Sequence, residues 1–125
     1  MNEVSLVYMD ECFKLIGCAY TVYNDLKYGH YEPYYQRAYA IELAKLGFNF
    51  EREHKIGVTY KGKKVGSYSL DFLVDKKIVV ELKVANDFYQ MHIKQVLTYL
   101  KATNRRLGII ILITPDGIRY KRLVN

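Results

Sequence analysis

The sequence contains no tryptophan, only two cysteines and only two prolines among its 125 residues. It has no apolar run of about 18 residues and no pattern of a secretion signal, so we expect a soluble, cytoplasmic protein with no membrane partner. Cys12 and Cys18 lie in one predicted helix, six positions apart, and would point to different faces. We therefore expect reduced core cysteines and no disulfide. No cysteine and histidine cluster has the spacing of a zinc site.

The sequence also shows no sign of a boundary between domains. The chain has no internal repeat, no low-complexity tract and no glycine-rich or proline-rich linker. Its length is that of one domain, and half of its residues are apolar, which is enough for a packed core. We therefore predict a single domain over residues 1–125.

The hydrophobic periodicity predicts the order α-α-β-β-β-α-β-β. The predicted helices cover residues 8–27, 32–46 and about 86–102, with Asn86 or Asp87 as the cap of the third. The predicted strands cover residues 48–60, 65–74, 78–84, 107–114 and 118–124. A helix between the third and fourth strands indicates an α/β fold with a mixed sheet and helices packed against it.

Charged residues interrupt two strands that otherwise read as buried. Asp71 lies in the second predicted strand, and Glu81 and Lys83 lie in the third. Buried charges are costly unless they pair or bind a ligand. If residues 75–77 form a three-residue loop, Asp71 faces Glu81 and Lys83 shares their face. Such a cluster of two carboxylates and one ammonium suits a divalent ion held by oxygen ligands.

Two alternatives remain open for this cluster. A two-residue loop would place the two carboxylates on opposite faces of the sheet. Alternatively, Lys83 forms a structural ion pair with Asp71 or Glu81 and no metal is involved.

Four short motifs occur in the same order as in a known family. They are the G-x-x-E-x-x-Y run from Gly29 to Tyr35, the strand that contains Asp71, the triplet Glu81-Leu82-Lys83 and the segment from Gln95 to Thr103. With these motifs the sequence resembles the GxxExxY family, which is placed in the PD-(D/E)xK nuclease superfamily. The resemblance extends from about Ile16 to Arg122. It implies a PD-(D/E)xK nuclease-like α/β fold and a divalent-metal-dependent nuclease that hydrolyses phosphodiester bonds in DNA.

The resemblance also implies roles for individual residues. Asp71 and Glu81 would be ligands of Mg²⁺ or Mn²⁺, and the backbone carbonyl of Leu82 would be a further ligand. Lys83 would be the catalytic lysine of the ExK triplet. One departure from the superfamily is Leu70, which stands before Asp71 where many members have proline.

Two helical residues complete the expected catalytic set. Glu32 would match the acid that many superfamily members supply from a helix, and it would reach the metal directly or through water. Alone, an acid at this position could simply stabilise the helix N-terminus. Gln95 would match the glutamine of the helix after the ExK strand. Tyr35 shares the face of Glu32 and would either orient that carboxylate or pack against the sheet.

The net charge of +6 suits a polyanionic partner. Lysines at the predicted turns would contact the phosphate backbone of DNA without reading its sequence. A different class of function also remains open, namely a non-catalytic module that uses the same fold to bind nucleic acid or a protein. A homodimer is possible on the sequence alone.

Overall fold

The computed structural model describes residues 7–125, so residues 1–6 of the predicted domain lie outside the described residues. The helices and strands follow the predicted order. The helices are α1 (Met9–Leu26), α2 (Glu32–Lys45) and α3 (Gln90–Thr103). The strands are β1 (Phe50–Tyr60), β2 (Lys63–Val74), β3 (Ile78–Val84), β4 (Leu107–Thr114) and β5 (Gly117–Val124).

The strands form one mixed sheet in the order β1-β2-β3-β4-β5. Strands β3 and β4 are parallel, with α3 as the crossover between them, and the other neighbouring pairs are antiparallel. A parallel pair needs a crossover of this kind because its strands cannot be joined by a tight turn. The structure confirms the predicted α/β architecture.

Helices cover both faces of the sheet. On one face, α1 and α2 pack against the sheet through a cluster that includes Leu15, Tyr39 and Phe72. On the other face, α3 packs against Val79 through a second cluster that includes Leu100. Because both faces are covered, every residue of β4 is buried, as its apolar sequence predicts. Both cysteines are free and buried in the first cluster, as expected.

Three predicted boundaries were wrong by two residues or more, and the other differences are of one residue. The third helix begins at Gln90, not near Asn86, and the Asp87 carboxylate instead accepts a hydrogen bond from the backbone N–H of Phe88 at 2.8 Å. The first strand begins at Phe50 rather than residue 48. The predicted four-residue turn shrinks to Lys61 and Gly62, whose positive φ angles of 48° and 77° allow a tight two-residue connection.

The β1–β2 hairpin extends beyond the rest of the sheet. Strands β1 and β2 pair along almost their full length, whereas β2 pairs with β3 only from Phe72 to Val74. Within the described part of the chain, residues 55–69, here called the arm, are therefore hydrogen-bonded as strands only to each other. All of the arm is exposed except Ile56, Tyr68 and Ser69, which are half-buried.

Candidate active site

The site forms where β2 and β3 separate. Val74 pairs with Ile78, as the predicted three-residue loop requires, and the ladder between these strands ends at the pair of Phe72 and Val80. Beyond that pair, the edge of β3 that faces β2 has no strand partner among residues 7–125. Its backbone groups must find other partners, because unpaired buried N–H and C=O groups are costly.

The two predicted carboxylates take the place of the missing ladder. The Glu81 carboxylate accepts a hydrogen bond from the backbone N–H of Asp71 at 2.8 Å. In return, the Asp71 carboxylate accepts one from the backbone N–H of Leu82 at 2.8 Å. Each carboxylate is thus fixed by the backbone of the opposite strand, and the structure brings Asp71 and Glu81 together as the three-residue loop predicts.

Helix α2 supplies two more partners for the same edge. The Glu32 carboxylate accepts a hydrogen bond from the backbone N–H of Val84 at 2.8 Å. The Gln36 side-chain amide donates one to the carbonyl of Leu82 at 3.2 Å. Sequence reasoning missed Gln36, although its position four residues after Glu32 places both side chains on one helix face.

Lys83 lies beside both strand carboxylates. Its Nζ is 3.3 Å from Oε2 of Glu81 and 3.6 Å from Oδ2 of Asp71. Only 6% of the Glu81 side chain, 14% of the Asp71 side chain and 18% of the Lys83 side chain are exposed. The predicted cluster of two carboxylates and one ammonium therefore exists and is largely shielded from water.

Burial raises the pKa of both carboxyl groups in the cluster, and their charges act on one another. Burial and the neighbouring Asp71 carboxylate raise the pKa of Glu81 to about 7. Burial also raises the pKa of Asp71, even though Lys83 and a backbone hydrogen bond act in the opposite direction. Burial lowers the pKa of Lys83, but the carboxylates of Asp71, Glu81 and Glu32 raise it overall. The cluster thus places two strand carboxylates beside one ammonium.

This imbalance bears on the structural ion-pair alternative. A purely structural pair needs one carboxylate for Lys83. Each acid also accepts a backbone hydrogen bond, but the second buried carboxylate adds desolvation cost and repulsion. An additional cation would remove that repulsion. The geometry therefore favours a site that binds a cation over a site that serves only stability.

The donor set of the cluster fits a small divalent ion. Oxygen ligands suit Mg²⁺ and Mn²⁺, and Mg²⁺ in proteins is commonly held by one or two carboxylates together with water and substrate phosphates. Oδ1 of Asp71 has no hydrogen-bond partner within residues 7–125, and the Leu82 carbonyl keeps one lone pair beyond its bond to Gln36. Among those residues, no group of three or more His, Cys, Asp or Glu side chains is arranged to hold a metal by itself. A metal here would complete its shell with the backbone carbonyl, water and substrate.

The G-x-x-E-x-x-Y run has a structural explanation. Gly29 adopts a φ of 121°, a conformation that other residues rarely reach. The Tyr35 hydroxyl accepts a hydrogen bond from the backbone N–H of His30 and donates one to the carbonyl of Lys27. Tyr35 therefore anchors the turn before α2, which positions Glu32. Tyr35 is buried, as the packing alternative predicted, and the hydrogen bond that fixes the Glu32 carboxylate comes from β3, not from Tyr35.

Gln95 is the one predicted site residue that the structure does not connect to the cluster. It lies on α3 and is half-buried. Its backbone carbonyl accepts a hydrogen bond from the Tyr68 hydroxyl at 3.5 Å, and its side-chain amide has no hydrogen-bond partner in the described part of the chain. Its catalytic role remains a prediction.

The fold and this cluster define a nuclease-like α/β protein. The model of the PD-(D/E)XK nuclease superfamily matches residues 9–119, so the chain belongs to that superfamily. The finer resemblance to the GxxExxY family stays a prediction. No curated protein matches the chain. Among solved structures, the crystal structure of SSO0001 is 20% identical, with 94% of this chain and 78% of that chain covered and a TM-score of 0.47.

Proposed function

We propose that the protein is a divalent-metal-dependent nuclease that hydrolyses phosphodiester bonds in DNA at the cluster of Asp71, Glu81 and Lys83. The observation that carries the proposal is the mutual fixing of the two carboxylates. Each accepts a 2.8 Å hydrogen bond from the opposite strand, beside an ammonium within 3.6 Å. Such prearranged charge is what phosphoryl chemistry needs, because catalysis there consists mainly of positioning and electrostatic stabilisation.

Each residue has a part in the proposed reaction. Asp71, Glu81 and the Leu82 carbonyl hold Mg²⁺ or Mn²⁺, and the Gln36 amide fixes the direction of that carbonyl. When bound, the ion supplies charge that polarises the phosphate and makes water a better nucleophile. The Lys83 ammonium stabilises the negative charge that develops on the phosphate oxygens.

Glu32 would act at the periphery of the site. Its carboxylate accepts a hydrogen bond from the N–H of Val84, so it holds the end of β3, and it would reach the metal directly or through water. Gln95 would contact a water molecule or DNA at the α3 side. Within residues 7–125, no helix is long and apolar enough to span a bilayer. The cytoplasmic location stays a prediction, and the question of a homodimer stays open as the sequence left it.

The purified protein should be incubated with linear, nicked, branched and single-stranded DNA in Mg²⁺, Mn²⁺ or EDTA. We expect cleavage of at least one substrate with Mg²⁺ or Mn²⁺ and none with EDTA. Binding to DNA without cleavage under every condition would contradict the proposal and would favour the non-catalytic binding module.

A further inference from the structure

The arm, residues 55–69, projects from the sheet next to the cluster. Its β2 strand leads directly into Asp71, where β2 separates from β3. The seven residues from Lys63 to Ser69 span roughly 23 Å at about 3.3 Å per residue. The arm thus extends the protein well beyond the site without adding to either hydrophobic cluster, apart from its half-buried residues Ile56 and Tyr68.

The arm carries charge of only one sign. It contains four lysines and no aspartate or glutamate, and the lysines are Lys55, Lys61, Lys63 and Lys64. All four are exposed, and none forms an ion pair with the described residues. On most protein surfaces charges of both signs are mixed. An exposed hairpin of uniform charge instead creates a potential that attracts polyanions.

A groove runs between the arm and α3. Its volume is about 560 Å³, and its lining includes Lys55 and Tyr68 from the arm and Tyr99 and Arg105 from the region of α3. None of the described residues that line it is acidic. Arg105 lies over the Tyr99 ring, 5.5 Å from its centroid. The groove therefore combines positive charge with polar and aromatic walls.

The groove and the candidate active site share one face of the sheet. Glu81 lies two residues after Val79, so both side chains point to the same face, and Val79 packs in the cluster with α3. Tyr68, which lines the groove, packs against the same cluster and lies three residues before Asp71. A bound strand can therefore pass from the carboxylates past Tyr68 into the groove without crossing the sheet.

We propose that the arm and this groove bind the phosphodiester backbone of DNA on one side of the bond to be cleaved. At about 3.4 Å per nucleotide along a strand, an arm of roughly 23 Å covers about seven nucleotides. The proposal rests on the proposed nuclease function for the position of the cleaved bond. It makes DNA binding asymmetric about the cleaved bond, because the DNA flank on the arm side makes contacts that the opposite flank lacks.

A second copy of the chain is a poorer binding partner for the arm than DNA is. The arm is the outer edge of the sheet and exposes Val58, Tyr60 and Val65, which could favour strand pairing between copies. Pairing of two arms would, however, bring the lysines of both copies together with no carboxylate of either arm between them. Repulsion between like charges on paired strands opposes such an interface.

The test is fluorescence anisotropy with labelled duplexes of increasing length, in EDTA and in Ca²⁺, which keeps binding separate from cleavage. The arm variant is Lys63→Gln with Lys64→Gln. The matched control is Lys14→Gln with Lys45→Gln, which removes the same charge from exposed sites on α1 and α2. Wild-type affinity should rise with duplex length and level off once the arm is covered. The arm variant should lose at least about tenfold in affinity at low salt, with a salt slope smaller by about two, while the control stays near wild type.

The proposal is overturned if the arm variant binds like wild type, or if both variants weaken equally, since the second result would show an effect of net charge alone. Failure of the proposed function looks different. In that case no metal supports cleavage, yet the arm variant still binds DNA more weakly than the control. Cleavage by wild type together with unchanged binding by the arm variant would contradict the proposed DNA-binding role of the arm but not the proposed nuclease function.

Discussion

The neighbouring parallel strands β3 and β4 have the same kind of environment but different chemistry. Both are covered by helices, and each residue of β3 from Ile78 to Val84 lies beside a residue of β4 from Leu107 to Ile113. In this register Glu81 lies beside Ile110, and Lys83 lies beside Leu112. Strand β4 fills these positions with apolar side chains and serves packing, whereas β3 fills them with charge.

The difference between the strands arises from their other neighbours. Strand β4 is paired along its whole length with β5 and from Leu107 to Ile113 with β3. Strand β3 loses its β2 partner after Val80. The separated edges of both strands then offer backbone donors, the Asp71 N–H to Glu81 and the Leu82 N–H to Asp71. Charge is therefore tolerated in this sheet where two strands separate, and we expect it to be rejected where the ladder is continuous.

The largest expected effect on stability comes from placing a carboxylate on β4, beside the position that Glu81 occupies on β3. Ile110→Glu should destabilise the protein by about 4 kcal/mol or more, because Ile110 is buried where the continuous ladder already uses the backbone hydrogen-bond donors. Glu81→Gln should leave the metal-free protein at least as stable as wild type, because it removes a repulsive buried charge. Urea melts of both variants in EDTA measure the difference. An Ile110→Glu variant as stable as Glu81→Gln would show that a buried carboxylate in this sheet does not depend on the separation of two strands.

The next effect concerns Lys83. Lys83→Ala should remain folded and still bind metal, but cleavage should fall by at least about a hundredfold, which is typical for the loss of one electrostatic stabiliser. Single-turnover cleavage rates and metal titrations measure the two properties separately. Lys45→Ala is the control, since within residues 7–125 Lys45 forms an ion pair only with the nearby Glu42 on the surface of α2. Cleavage at the wild-type rate by Lys83→Ala would remove Lys83 from the catalytic set.

A smaller effect should distinguish the packed strand β4 from the open arm. A Cβ atom at Gly108 would lie 2.5 Å from a methyl carbon of Val96 on α3, whereas one at Gly66 in the arm would have no neighbour within 4 Å. Gly108→Ala should therefore cost about 1–3 kcal/mol, and Gly66→Ala should change stability by less than about 0.5 kcal/mol. Equal losses in denaturant melts would mean that the arm packs against something in solution.

The sequence predicted the features that depend on local pattern. The order of the elements, the buried β4 strand and the three-residue loop that aligns Asp71 with Glu81 all follow from periodicity and turn length. The contacts of Gln36 could not be predicted this way, because they depend on how α2 docks on β3. The late start of α3 was missed because Asp87 is a good capping residue whose carboxylate bonds locally to Phe88 instead.

The arm was missed for a related reason. Its alternating residues predict strands, and the structure confirms them, but a local pattern does not show where a neighbouring strand stops. Only the register between β2 and β3 reveals that residues 55–69 stand outside the sheet. That same point of separation creates the candidate site at Asp71, so the two features have one structural origin.

The most direct test of the central claim is a pair of thermal melts at pH 8, with EDTA and with Mn²⁺. If Asp71 and Glu81 hold a metal, Mn²⁺ should raise the melting temperature of wild type, because a ligand that binds only the folded state stabilises it. Asp71→Asn should melt at or above the wild-type temperature in EDTA and should show no rise with Mn²⁺, while the exposed-site control Asp116→Asn should behave like wild type. A wild type indifferent to Mn²⁺, beside an Asp71→Asn variant that is destabilised in EDTA, would contradict the account and make Asp71 a structural partner of Lys83.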